Sequence, residues 1–169
     1  KLNQSQPKKH PFPIPSYKEI ELIKNSKGVL HIGAHRGTEA AVYDWFNKSV
    51  LWIEADPEIF EELMININKH HGQKAICCLL GHKNQSGIPF YVSNNDGACS
   101  SIFKFSKQVL NKKLWKTRNF FTSKVKFLNM YTLDTIAKKK KLNLSNYNHW
   151  IMDIQGAELD VFKGASNII

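Results

Sequence analysis

Residues 28–37 read GVLHIGAHRG, and the fold turns on them. A short apolar run closes on Gly33, and a second glycine, Gly37, stands just beyond. A short apolar run bounded by glycine fits a strand buried on both faces of a sheet. Glycines directly after such a strand let the backbone approach a ligand closely. TEAAVYDWF (38–46) then has helical spacing, with Thr38 as the expected N-cap. The start of that helix offers free N–H groups to a carboxylate or phosphate. The pattern repeats downstream. VLWIE (50–54) is a second strand, and ADPEIFEELMININKHHG (55–72) supplies the next helix. Asp56 caps it and Pro57 suits its first position. Ile59, Phe60, Leu63, Met64 and Ile67 form its apolar face, and Gly72 is expected to end it. KAICCLL (74–80) is a third strand.

Strand–helix alternation of this kind predicts an α/β fold: a Rossmann-like, doubly wound, mostly parallel sheet with right-handed crossovers. IPFYV (88–92) is a further strand, which Pro89 places at an edge or outside the main sheet. The polar stretch 93–101 is a loop. KVKFL (124–128) is a strand, TLDTIAKKKK (132–141) a helix with a basic outer face, and HWIMDI (149–154) a buried strand. Residues 1–27 are expected to form a leader or helix ahead of one domain, 28–169. Pro7, Pro11, Pro13 and Pro15 predict extended chain at its start.

Composition narrows the function classes. No stretch reaches the roughly 18 apolar residues of a membrane span. Cys77, Cys78 and Cys99 are an odd number without zinc-ligand spacing, so a reducing, cytoplasmic setting is expected and no metal site. Cys77 and Cys78 read as small core residues. Charge is uneven. Residues 97–150 hold 12 Lys/Arg and one acid, Asp134, whereas the rest hold 12 Lys/Arg and 13 acids. A basic segment attracts polyanions. Trp115, Phe120 and Phe121 lie within it, so a nucleic-acid substrate is one reading of the chain and a solvated lysine-rich face is the other.

Glu54 ends the second strand, 21 residues after Gly33. A carboxylate there reaches both hydroxyls of a nucleoside ribose. A nicotinamide loop would read G-x-G-x-x-G, and G-A-H-R-G departs from it. Glycine loop, helix start and strand-end acid together point to a nucleoside-bearing ligand at the C-terminal ends of the strands.

The blocks VLHIGAHRGTEAAVY (29–43), WIEADPEIFEEL (52–63), CLLGHKNQSGIPFYVS (78–93), CSSIF (99–103), YTLDTI (131–136) and IMDIQGAELDVFKGA (151–165) occur in an order that resembles the FkbM family of methyltransferases. The resemblance implies a class I methyltransferase core, S-adenosylmethionine as cofactor, and O-methylation of a sugar, glycan or small metabolite. It also implies that Gly33, Ala34, His35, Arg36, Gly37 and Thr38 surround the methionine moiety of the donor. Glu54 and Ala55 meet the ribose, and Gly81 and His82 form the adenine-side turn. Asp153 lies where donor methyl meets acceptor, and Ser100, Ser101 and Gln155 lie on the substrate side. His31 stands where many such enzymes carry an acid near the donor's amino group. Some other group must then neutralise that ammonium, or the histidine acts through its ring. Gln155 replaces a commoner Glu.

An alcohol acceptor needs a base as its proton leaves. Asp153 is the first candidate, Glu158 the second and His35 the third. Sheets of this class have seven strands, so the order 3-2-1-4 leaves 149–154 with a bare edge and implies continuation beyond Ile169. A nucleic-acid methyltransferase, or a module that binds the donor without turnover, are the alternatives to a glycan or small-molecule enzyme.

Overall fold

The computed structural model describes residues 16–105 and 119–168. Helix α1 (Tyr17–Asn25) leads into β1 (Gly28–Ile32), α2 (Ala40–Trp45), β2 (Ser49–Glu54), α3 (Pro57–Ile67) and β3 (Gln73–Cys77). The chain continues through β4 (Leu79–Leu80), β5 (Gln85–Ser93), β6 (Thr122–Tyr131) and α4 (Leu133–Lys140). A 3-10 turn (Leu144–Asn146), β7 (His149–Met152) and α5 (Glu158–Lys163) follow.

The main sheet is parallel, in the order β3-β2-β1-β7, as the strand–helix pattern predicts. All of β1 is buried, because α1, α2 and α3 cover one face of the sheet and α4 and α5 the other. Alternate residues sort accordingly. Leu30 and Ile32 join Leu51, Leu133 and Val161 on one side. Val29, Val50 and Trp52 join Tyr43 and Leu63 on the other. β7 is one of the two edge strands, so its residues are half-buried rather than fully buried.

Several elements differ from their sequence expectation. The run 74–80 is not one strand. It breaks at Cys78, whose N–H donates to the Glu54 carbonyl at 2.9 Å. Leu79 and Leu80 then pair with Met130 and Tyr131 in a second sheet, ordered β4-β6-β5. Cys78 is buried as expected, but Cys77 is exposed on the edge strand β3. Pro89 sits in β5, an edge of the second sheet, where its missing N–H costs little. Thr38 does not cap α2. Its hydroxyl donates to Glu39 Oε1, and Glu39 occupies the cap position without a side-chain bond. Helix α3 ends at Ile67, ahead of Gly72, and Met64 faces outward. Helix α1 is secured by a capping box between Ser16 and Glu19.

Asp56 joins the two sheets. Its Oδ1 accepts from the Glu58 N–H at 2.9 Å, capping α3 as predicted, and also from Lys126 Nζ on β6. Both side chains are largely shielded from water. Lys124 pairs with Glu58, so two lysines of the basic segment are engaged internally. Lys138 to Lys141 form an exposed face, as expected. Lys107, Lys112, Lys113, Lys116, Arg118 and Trp115 lie outside the described residues. Among the described residues no helix is long and apolar enough to cross a membrane.

Asp56→Ala should remove the cap and leave Lys126 with only the exposed Glu58. Urea unfolding should show a loss of about 1–3 kcal/mol.

Candidate functional site

Three loops meet at the C-terminal ends of β1, β2 and β7. Gly33 follows β1 with φ +82°, a conformation that favours glycine. A Cβ there would lie 2.2 Å from the Asp153 carbonyl oxygen, so no larger residue fits without moving the loop after β7. The N–H groups of Gly33 and Ala34 both donate to the Ile53 carbonyl, and the Asp153 N–H donates to the Ile32 carbonyl. These bonds fix the three loop starts relative to one another.

Glu54 is buried beneath this junction, 7% exposed. Its Oε2 accepts from the His35 N–H at 2.7 Å, and its Oε1 from the Asp56 N–H at 2.8 Å. Burial pushes the carboxyl above its ordinary pKa, against the opposing pull of the Asp56, His35 and Ala55 N–H groups. Each carboxylate oxygen has two lone-pair sites, so each keeps acceptor capacity after one backbone bond.

A cleft runs past Gly33, Glu54, Ala55 and Asp153. Ile59, Leu80 and Phe90 give it an apolar wall, and Ser100, Ser101 and Ile102 form its outer side. Residues 94–102 close over it. The Ser93 N–H donates to Ser100 Oγ, Ser101 Oγ donates to the Gln155 carbonyl, and His35 Nε2 lies 2.9 Å from the Asp96 carbonyl oxygen. The free volume beneath is about 60 Å³, room for about two waters. Small-ligand sites occupy about 300–1,000 Å³, so the cleft as it stands is smaller than a nucleoside needs. The chemistry fits such a ligand: a buried acceptor for hydroxyls beside an apolar slot for a flat ring.

The family comparison agrees with that geometry. Residues 31–169 match the family described as Methyltransferase FkbM domain. The chain belongs to the FkbM methyltransferase family. No curated protein and no solved structure matched it.

In this FkbM-family methyltransferase, Gly33, His35, Glu54, Ala55, Ser100, Ser101 and Asp153 line one cleft. The other residues singled out in the sequence lie elsewhere. Ala34 is buried under the loop, Arg36 pairs with Glu62, and Gly37 packs against Leu63. Thr38 is exposed beside Glu39. Gly81 packs against Met130, and His82 stands 3.7 Å from Asp160 on α5. Glu158 Oε1 accepts from the N–H groups of Ile154 and Gly156, which holds the turn after β7. Gln155 donates to Asp153 Oδ1 and so orients it. Asp56, Ile59, Leu80 and Phe90 also line the cleft, though the sequence did not single them out as site residues. The cap signature at Asp56 marked its place but not its second role. Among the described residues no group of three or more His, Cys, Asp and Glu is placed to hold a metal ion.

His31 faces the opposite side of the sheet. Its ring stacks on Trp52 at 4.7 Å, and Nδ1 lies 3.0 Å from the Tyr43 hydroxyl oxygen. Burial, helped by His149, pulls its pKa down to about 4 from 6.5. The unfolded chain therefore binds the proton at higher pH than the folded one. Stability from this site is complete above about pH 6.5 and falls as pH drops toward 4, by about 3 kcal/mol. Unfolding measured from pH 7 to 4 should show that loss in the wild type and a shallower one in His31→Gln.

Proposed function

We propose that this methyltransferase takes its methyl group from S-adenosylmethionine and delivers it to a hydroxyl of a sugar, glycan or small metabolite. The observation that carries this reading is the convergence of Gly33, Glu54 and Asp153 on one cleft at the carboxyl ends of the strands. The sulfonium of the donor supplies an activated methyl group.

The chain's own residues then have defined tasks. Glu54 accepts from both ribose hydroxyls with the lone pairs its backbone partners leave free. Ile59, Leu80 and Phe90 hold the adenine ring away from water. Asp153 stands at the open end of the cleft, one oxygen engaged by Gln155 and the other turned to no partner among the described residues. That carboxylate orients the acceptor hydroxyl and takes its proton as the new bond forms. Glu158 acts through the turn it braces. His35 ties the covering loop to the site through Asp96. Ser100 and Ser101 hold the same loop closed, and lifting it frees their hydroxyls for the acceptor.

A small acceptor is favoured over nucleic acid because Lys124 and Lys126, the basic residues of β6 nearest the cleft, are neutralised by Glu58 and Asp56. A reducing cytoplasm is the proposed setting, consistent with three free thiols.

Calorimetry with S-adenosylhomocysteine tests the donor site. Glu54→Ala should weaken binding by about 1–3 kcal/mol. An unchanged dissociation constant would remove Glu54 from the site. Binding without turnover on any acceptor would mark a donor-binding module instead of an enzyme.

A further inference from the structure

Across the sheet from the cleft lies a second space, a groove of about 460 Å³ between α1, α2 and β7. Asp153 borders both. Glu19, Glu39 and Asp153 bring three carboxylates to the groove, and no lysine or arginine lines it. Its histidines do not offset that charge. Burial holds His31 and His149 below the usual imidazole range, so both are neutral near pH 7. Burial and the charges of Glu39 and Glu19 push the Tyr43 hydroxyl well above its ordinary range, so it keeps its proton.

His31 borders this negative space, and its Nδ1 lies 3.0 Å from the Tyr43 hydroxyl oxygen. In the tautomer where that hydroxyl donates to Nδ1, the imidazole proton is on Nε2. Nε2 meets no partner among the described residues, although His31 is only 6% exposed and its ring lines the groove. In that tautomer the groove offers carboxylates for a cation and an N–H for an anion. A zwitterionic amino-acid group carries both.

The two carboxylates on the helices differ in availability. Glu19 is exposed and its Oε2 is held by the Ser16 N–H in the cap of α1. Glu39 is half-buried, and the one hydrogen bond to its carboxylate among the described residues comes from neighbouring Thr38. Glu39 also stands at the far end of the loop that begins at Gly33.

We propose that Glu39 is the counter-charge for the ammonium of the donor's amino-acid tail, with His31 Nε2–H donating to the carboxylate of that tail. This rests on the donor reading above: a donor with its sulfur at Asp153 has its nucleoside in the cleft and its tail directed into the groove. His31 thereby keeps a role in binding without carrying charge, and the acidic function moves to Glu39.

Calorimetry on the full chain with two probes separates the two halves of the ligand. S-adenosylhomocysteine has nucleoside and tail, whereas 5′-methylthioadenosine has the nucleoside alone. Wild type should bind the first more tightly. Glu39→Gln should lower affinity for S-adenosylhomocysteine about tenfold and leave 5′-methylthioadenosine within twofold. Glu54→Gln should weaken both. An analogue of S-adenosylhomocysteine without its ammonium should bind wild type about as weakly as 5′-methylthioadenosine, a result independent of how the variants fold. Equal wild-type affinity for all three probes would overturn the assignment of Glu39 while leaving the nucleoside site intact. So would a Glu39→Gln effect equal on both nucleosides. Failure of wild type to bind any of them would overturn the donor reading itself.

Discussion

Between Gly33 and the Asp153 carbonyl oxygen there is no room for a side chain. That closeness is what lets the ends of β1 and β7 lie side by side while the Gly33 and Ala34 N–H groups reach across to β2. A hydrogen at Cα is the only substituent that allows all these bonds at once. Glu54 is oriented from the same junction, since the His35 and Asp56 N–H groups flank its two oxygens. The buried carboxylate, the cleft above it and the position of Asp153 all follow from one tight backbone crossing.

The large pieces of the fold were legible because each had its own local cause. β1 and β2 are short apolar runs, and α3 begins with a capping Asp followed by Pro. Glu54 was legible too, as an acid ending an apolar strand. Other features lacked a local cause. Leu79 and Leu80 are as apolar as Ala75 and Ile76, so nothing in that run marks the change of sheet; the cause is a distant pairing with β6. In a strand buried on both faces the two sides read alike, so the side on which His31 lies is fixed by Tyr43 and Trp52, which the sequence places far from it. Thr38 resembled a cap by type, but the helix starts later and Glu39 takes that place. The capping box at Ser16 and Glu19 has a local signature, Ser followed three residues later by Glu, directly after the proline-rich start.

The covering loop and the basic segment show how tertiary context redirects residues of obvious chemistry. Ser100 and Ser101 have the look of substrate contacts, yet both hydroxyls hold loop 94–102 in place over the cleft. Lys126 belongs to the most basic part of the chain and is spent on Asp56. Among the described residues, Lys126 therefore adds no free positive charge beside the site.

The strand that changes sheets at Cys78 carries a further implication for tolerance to insertion. β3 is aligned with β2, and Leu80 with Tyr131, so the edge of the main sheet and the apolar wall of the cleft belong to one continuous peptide. One residue added after Cys77 would leave the first alignment intact and slip the second by a single step. Leu80 would then exchange faces with its neighbour, turning a wall inside out without unfolding either sheet. The length of this connection is as tightly specified as the identity of any residue in it.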